Sequence, residues 1–183
     1  MTLTLQKTLI LVGMMGAGKT AVGKAVAASL AVPFHDSDEE IERAANRTIA
    51  EIFARDGEAF FRQRESLLIA RLLEGDCGVV SVGGGAFLER QNRALIRDKG
   101  VSLWLRADPL LLWSRVRHKD TRPLLRTADP FGTLLRLHKQ RAPVYAEAEL
   151  VVDAQAGHSV ADTAAAVIRT LRTRDDLLRE GAG

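Results

Sequence analysis

Short apolar runs bounded by turn residues alternate along the chain with longer stretches of mixed polarity. Five of the runs read as strands: "KTLILV", "VPFHD", "GVVSV", "VSLWLR" and "ELVVDA". Their dense Val, Leu and Ile content suits strands covered on both faces, as in a parallel sheet whose crossover connections are helices. The pattern places helices near residues 18–30, 37–45, 48–55, 58–74, 88–99, 108–117, 131–147 and 158–173. Asn46 and Gly57 stop two of them, since both tolerate a left-handed backbone. The segment 118–130, "HKDTRPLLRTADP", has charges, two prolines and no clean period; it is either a lid or an ordinary surface connection. The last residues, about 174–183, are expected to fray as a flexible tail. At 183 residues the whole reads as one α/β domain.

Composition narrows the class. An apolar share of 46% and a charged share of 27%, with five prolines and no repeat or low-complexity tract, are those of a globular protein. Lys and Arg number 26 against 23 Asp and Glu, and the sequence pI is about 9.3, which raises a nucleic-acid reading. The basic residues are interleaved with acids, however, and an aromatic share of 5% leaves few platforms for stacking bases. No nucleic-acid partner is expected, and phosphate ligands explain a local excess of Arg equally well. Cys77 is the single cysteine, which rules out an intrachain disulfide framework, fits a reducing compartment and reads as a small buried hydrophobe. Lys19 and Lys24 interrupt what could pass for a secretory signal, and no run approaches the ~20 apolar residues of a membrane span. A cytoplasmic protein with no membrane partner is the expectation.

Chemistry enters with "GMMGAGKT", Gly13 to Thr20, which lies between the first strand and the first helix and fits the P-loop pattern. Gly13, Gly16 and Gly18 let the backbone curl so that N–H groups point at phosphate oxygens, with the positive helix end behind them. Ala17 and Ala21 complete the nucleotide-contacting set. Lys19 reaches the β and γ phosphates, and the Thr20 hydroxyl ligates Mg²⁺. The phosphate donor is therefore a nucleoside triphosphate.

A P-loop alone does not name the acceptor. "DSD" puts Asp36 and Asp38 at the carboxyl edge of the sheet, where open α/β folds bind ligands. One carboxylate there can hold Mg²⁺ through water and the other can take a proton from a substrate hydroxyl; "DSDEE" also reads as a helix N-cap with acids at the positive helix end. Arg62 and Glu65 in "GEAFFRQRE" stand three apart on one helix face, a spacing that usually means a surface ion pair. "SVGGGAF" offers a backbone that can pass close to a ligand. "TRPLL" falls within 118–130, and "KQRAPVY" sets Arg141 just before a proline.

In this order and at these intervals the P-loop, "DSD", "FRQRE", "GGG", "RPLL" and "RAPVY" resemble shikimate kinase, over residues 7–171. The resemblance implies a three-layer P-loop NTPase fold like that of nucleoside monophosphate kinases: a five-stranded parallel sheet ordered 2-3-1-4-5, a substrate-binding helical region and a mobile lid. It implies transfer of the γ-phosphate of ATP, with Mg²⁺, to the 3-hydroxyl of shikimate, a step toward chorismate, by a monomer. Residue by residue it implies that Asp38 meets the reacting hydroxyl while Asp36 lies on the Mg²⁺ side with Thr20. Arg62 and Arg141 clamp the shikimate carboxylate, whose two oxygens match a guanidinium fork. Glu65 orients Arg62 and the ring hydroxyls, and Gly83, Gly84 and Gly85 bring backbone amides to the substrate. Arg122 reaches the transferring phosphate, completing a catalytic set with Lys19 and Asp38, and Arg115 stacks on adenine. The loop "DAQAGHSV" departs from the pattern, lacking a proline where many relatives pack one on adenine, so Gly157, His158 and Ser159 shape that side differently. A nucleotide kinase would call for more phosphate-binding arginines, and a non-catalytic relative could drop Asp38, Arg62 or Arg122; this chain has all three.

Overall fold

Apolar strands stand side by side at the centre of the computed structural model, which describes residues 3–119 and 123–181. In chain order the strands are β1 (Leu3–Leu5), β2 (Thr8–Val12), β3 (Phe34–Asp36), β4 (Val79–Ser81), β5 (Gly100–Ala107), β6 (Leu150–Ala154) and β7 (Leu178–Glu180). The helices are α1 (Lys19–Leu30), α2 (Ser37–Ala45), α3 (Ile49–Asp56), α4 (Glu58–Glu74), α5 (Arg90–Lys99), α6 (Pro109–Val116), α7 (Pro130–Tyr145) and α8 (Val160–Leu171). Five strands form one parallel sheet in the order β3-β4-β2-β5-β6, which counted from β2 is the expected 2-3-1-4-5. Right-handed crossovers put the helices that follow a leftward step on the opposite face from those that follow a rightward one. Accordingly α1 packs against α8, while α4 packs against α5. β2, in the middle, is buried along its whole length, which is why its residues are apolar without alternation.

Local chemistry sets the helix ends. Asn46 (φ 50°) closes α2 and Gly57 (φ 86°) closes α3, as their left-handed tolerance suggested. Thr48 and Glu51 make a reciprocal capping box at the start of α3, and Ser159 and Asp162 do the same for α8, each satisfying N–H groups that have no partner inside the helix. Trp104 lies in the core beside Tyr145, and Trp113 packs on Phe131. No helix among the described residues is long and apolar enough to cross a membrane.

The tail differs from expectation. Residues 178–180 do not end the chain as a loose strand of polar residues; they pair antiparallel with Leu3–Leu5 in a separate two-stranded sheet. Leu177 and Leu178 are buried in the main core, Gln6 donates its N–H to Leu177 O (2.8 Å), and Arg174 ties Asp176 to Glu149. Two apolar side chains in the tail outweigh its polar neighbours, and β1, too short for a periodic signal, is what they dock beside.

Candidate active site

β2 and β4 are neighbours in the sheet, so the turns that leave their carboxyl ends emerge together. The first is the phosphate loop. Gly13, Gly16 and Gly18 have φ of 145°, 83° and 96°, values that side chains rarely tolerate. At Gly16 space forbids one too: a Cβ would lie 2.8 Å from Val116 Cγ1 and 3.1 Å from Leu112 O. Ala17 is buried and turns its N–H back to Met14 O (3.2 Å), whereas Ala21 is exposed on the first turn of α1. Lys19 Nζ donates to Gly13 O (2.9 Å) and Met14 O (3.0 Å). The Thr20 hydroxyl donates to Asp36 Oδ2 (2.7 Å), while Asp36 Oδ1 accepts from the N–H groups of Asp38 and Glu39 (3.1 Å each). Asp36 is thus both the N-cap of α2 and the partner of the P-loop hydroxyl, so the N-cap reading of "DSD" holds for it. Asp38 stands one residue into α2 and is not the cap.

The second turn is Gly83 to Gly85. Each glycine leaves room for a different charged side chain. A Cβ on Gly83 would lie 2.8 Å from Asp38 Oδ1, one on Gly84 would lie 2.8 Å from Arg141 Nη1, and one on Gly85 would collide with the Arg62 guanidinium. The Gly84 position is also 3.7 Å from Gly13 O, so the turn abuts the phosphate loop. Side chains from α2, α4 and α7 therefore converge on three consecutive residues. Arg141 is buried, and Glu65 is fully so. Arg62 Nη1 donates to Glu65 Oε1 (2.8 Å) and Nη2 to Glu58 Oε1 (3.3 Å), but Glu65 Oε2 has no hydrogen-bond partner among the described residues. A buried carboxylate oxygen left so is costly. Burial pushes the Glu65 carboxyl up to about 7, with the Asp38 and Glu89 carboxylates adding and Arg62 opposing.

The family model for shikimate kinase matches residues 15–172. The chain belongs to the shikimate kinase family. A shikimate kinase of Ruegeria pomeroyi is 61% identical over 174 residues, which cover 95% of this chain and 89% of the relative. One of Cereibacter sphaeroides is 62% identical over 174 residues, covering 95% and 87%. Among solved structures, shikimate kinase from Acinetobacter baumannii in complex with shikimate has a TM-score of 0.87 at 35% identity, covering 91% of this chain and 93% of that one.

Of the residues that the resemblance to shikimate kinase singled out, Asp36, Asp38, Arg62, Glu65, Arg141 and the two glycine turns come together at one sheet edge. Arg62 and Glu65 form no surface pair: α4 carries them inward. Arg115 reaches the phosphate loop itself, its Nη1 donating to Gly16 O (3.0 Å) and Ala17 O (3.1 Å). Arg122 lies outside the described residues. Gly157 and His158 sit exposed in the turn before α8, and Ser159 caps that helix. Two residues went unread in the sequence. Tyr145 donates its hydroxyl to Gly84 O (2.5 Å), and burial, opposed by Arg141, raises its pKa and keeps it a donor. It stands four residues after Arg141, a spacing that shares a helix face and could have pointed to it. Ser37, fully buried, accepts the Gly83 N–H (3.3 Å); it is the middle residue of "DSD", of which only the two aspartates were given a role.

Proposed function

We infer that this chain is a shikimate kinase, transferring the γ-phosphate of ATP to the 3-hydroxyl of shikimate and giving shikimate 3-phosphate and ADP, toward chorismate and the aromatic amino acids. The observation that carries the reading is the glycine turn 83–85, which seats Asp38, Arg141 and Arg62 on a backbone that itself abuts the phosphate loop. Donor and acceptor sites are thereby neighbours, as in-line transfer demands.

On this reading the loop amides and Lys19 hold the triphosphate, with Ala21 along the same helix turn. Arg62 and Arg141 take the two oxygens of the shikimate carboxylate, in a pocket lined by the Gly83, Gly84 and Gly85 backbone. Glu65 holds Arg62 with one oxygen and accepts a ring hydroxyl with the other, the one without a hydrogen-bond partner among the described residues. Asp38 receives the proton of the 3-hydroxyl as that oxygen bonds to the γ-phosphorus and the bond to the β-phosphate oxygen breaks. Arg122 meets the transferring phosphate, and 118–130 serves as the lid. Thr20 and Asp36 suit Mg²⁺: a hydroxyl and a carboxylate oxygen lie 2.7 Å apart, both hard donors, and that ion keeps few protein ligands beside water and substrate phosphates. When bound it would neutralise phosphate charge. ATP as co-substrate supports a cytoplasmic place, and the convergence of Asp38, Arg62, Glu65 and Arg141 from one chain supports a monomer.

A coupled assay with ATP, Mg²⁺ and shikimate tests the reading. Asp38→Asn keeps the shape but is a far poorer base, so kcat should fall by about 10²- to 10⁴-fold while Mg-ATP still binds. Asp36→Asn should chiefly raise the Mg²⁺ requirement. Turnover of shikimate by Asp38→Asn at the parent rate sinks the general-base role, and a parent protein inert toward shikimate sinks the function.

A further inference from the structure

Two cations hold four carbonyl groups of the phosphate loop. Lys19, which ends the loop, takes those of Gly13 and Met14; Arg115, about a hundred residues away in the chain on α6, takes those of Gly16 and Ala17. α6 closes on the loop at further points. The place where Gly16 would carry a Cβ is filled by Val116 and the Leu112 carbonyl, and the corresponding place at Gly18 lies 3.5 Å from Arg115 Nη1. In a planar trans peptide the C=O and the following N–H point in opposite directions. A guanidinium that draws Gly16 O and Ala17 O toward itself therefore turns the N–H groups of Ala17 and Gly18 away. That of Ala17 closes the turn onto Met14 O (3.2 Å), and that of Gly18 faces off the guanidinium.

We propose that Arg115 is a positioning residue that sets the shape of the phosphate loop through the Gly16 and Ala17 carbonyls, so that the loop is ready for a polyphosphate chain whether or not a base is attached. The proposal rests on the reading of the loop as the ATP phosphate site. It is distinct from stacking on adenine, the role that the resemblance implies for the same side chain. Stacking acts on the base and is felt only by nucleotides. Shaping acts on the backbone, is felt by any polyphosphate, and exists in the empty protein. A plain charge effect is separable as well, because it acts only on a bound anion and leaves the empty loop as it is, whereas shaping shows in the ligand-free protein.

The experiment compares the parent with Arg115→Met in three measurements: calorimetric binding of inorganic tripolyphosphate and of ATP at low and high salt, hydrogen exchange of residues 13–20 in the ligand-free protein, and shikimate binding as a check on the fold. The expected result is equal weakening of tripolyphosphate and ATP, on the order of tenfold for two charge-assisted hydrogen bonds to the loop. The weakening should persist at high salt, loop exchange should quicken, and shikimate should bind as before. Weaker ATP with unchanged tripolyphosphate overturns the proposal in favour of a base contact. A loss of affinity with unchanged loop exchange, at either salt, overturns it in favour of charge alone. If Arg115→Met does not fold, Arg115→Lys, which keeps the charge on a shorter stem, takes its place. Affinity and loop exchange should move together in it, and a fall in affinity with parent-like exchange again overturns the proposal. Failure of the parent to bind either polyphosphate marks instead the failure of the phosphate-site reading, while the loop exchange still reports on shaping.

Discussion

Glu65 has no solvent exposure, one oxygen on Arg62 and the other without a hydrogen-bond partner among the described residues. Its carboxyl, ordinarily near 4.5, is pushed up to about 7, chiefly by burial. A raised carboxyl pKa means that the folded protein binds the proton more tightly than the unfolded chain does. The group's contribution to stability is therefore complete below the ordinary value and is lost as pH rises through about 7. Urea unfolding of the parent and of Glu65→Gln from about pH 4.5 to about pH 8 should show the parent losing up to about 3 kcal/mol relative to the variant. Parallel curves would mean that Arg62 compensates the buried charge in full. Such a cost, carried by a side chain that holds Arg62 beside the Gly83–Gly85 turn, accords with the proposed role of Glu65 Oε2 as acceptor of a ligand hydroxyl.

The turn from Gly83 to Gly85 shows how one short segment organises a site made by several elements. Its glycines are there for room. A Cβ on Gly84 would meet Arg141 Nη1 at 2.8 Å and the Tyr145 hydroxyl at 3.4 Å, and neither can retreat freely, since both are buried and Tyr145 holds the Gly84 carbonyl. Gly84→Ala should displace the Arg141 guanidinium and raise the shikimate KM about ten- to a hundredfold, the worth of one hydrogen bond to a charged group, with ATP binding little changed. Gly75→Ala, where a Cβ meets only ordinary contacts, is the control. Steady-state kinetics against shikimate and an ATP titration of both variants check this; an ATP affinity that falls with the shikimate KM would mean that the turn deforms the abutting phosphate loop instead.

The β1–β7 pair closes the molecule at the amino edge of the sheet, since β1 leads directly into the start of β2, whereas the site lies at the carboxyl edge. Stability and activity should therefore separate. Leu177 is fully buried, so Leu177→Ala should cost about 2–5 kcal/mol, each kcal/mol lowering the melting temperature by about 2–4 °C in a chain of this size. The folded variant should keep the parent's kcat and KM. Calorimetry with kinetics at a temperature well below the melt checks both halves, and an unchanged melting temperature would return the tail to the status of a loose end.

Most element positions, the phosphate loop and the helix stops at Asn46 and Gly57 were legible in the sequence, because each is settled within a few residues: by hydrophobic period, by a glycine's access to positive φ, by a cap. The resemblance to shikimate kinase added which residues to watch. It took the folded chain to show the rest. Arg62 and Glu65 carry the spacing of a surface pair, and only the packing of α4 against α2, α3 and α5 buries Glu65 and leaves its Oε2 without a hydrogen-bond partner among the described residues. Nothing local distinguishes three glycines needed for space from three needed for flexibility; Asp38, Arg141 and Arg62 arrive there from three other elements. Arg115 finds its carbonyls across about a hundred residues, and the tail finds its strand across nearly the whole chain. Contacts of that kind depend on which strands lie next to each other and on the faces that the crossovers choose, and short-range sterics leave both undetermined.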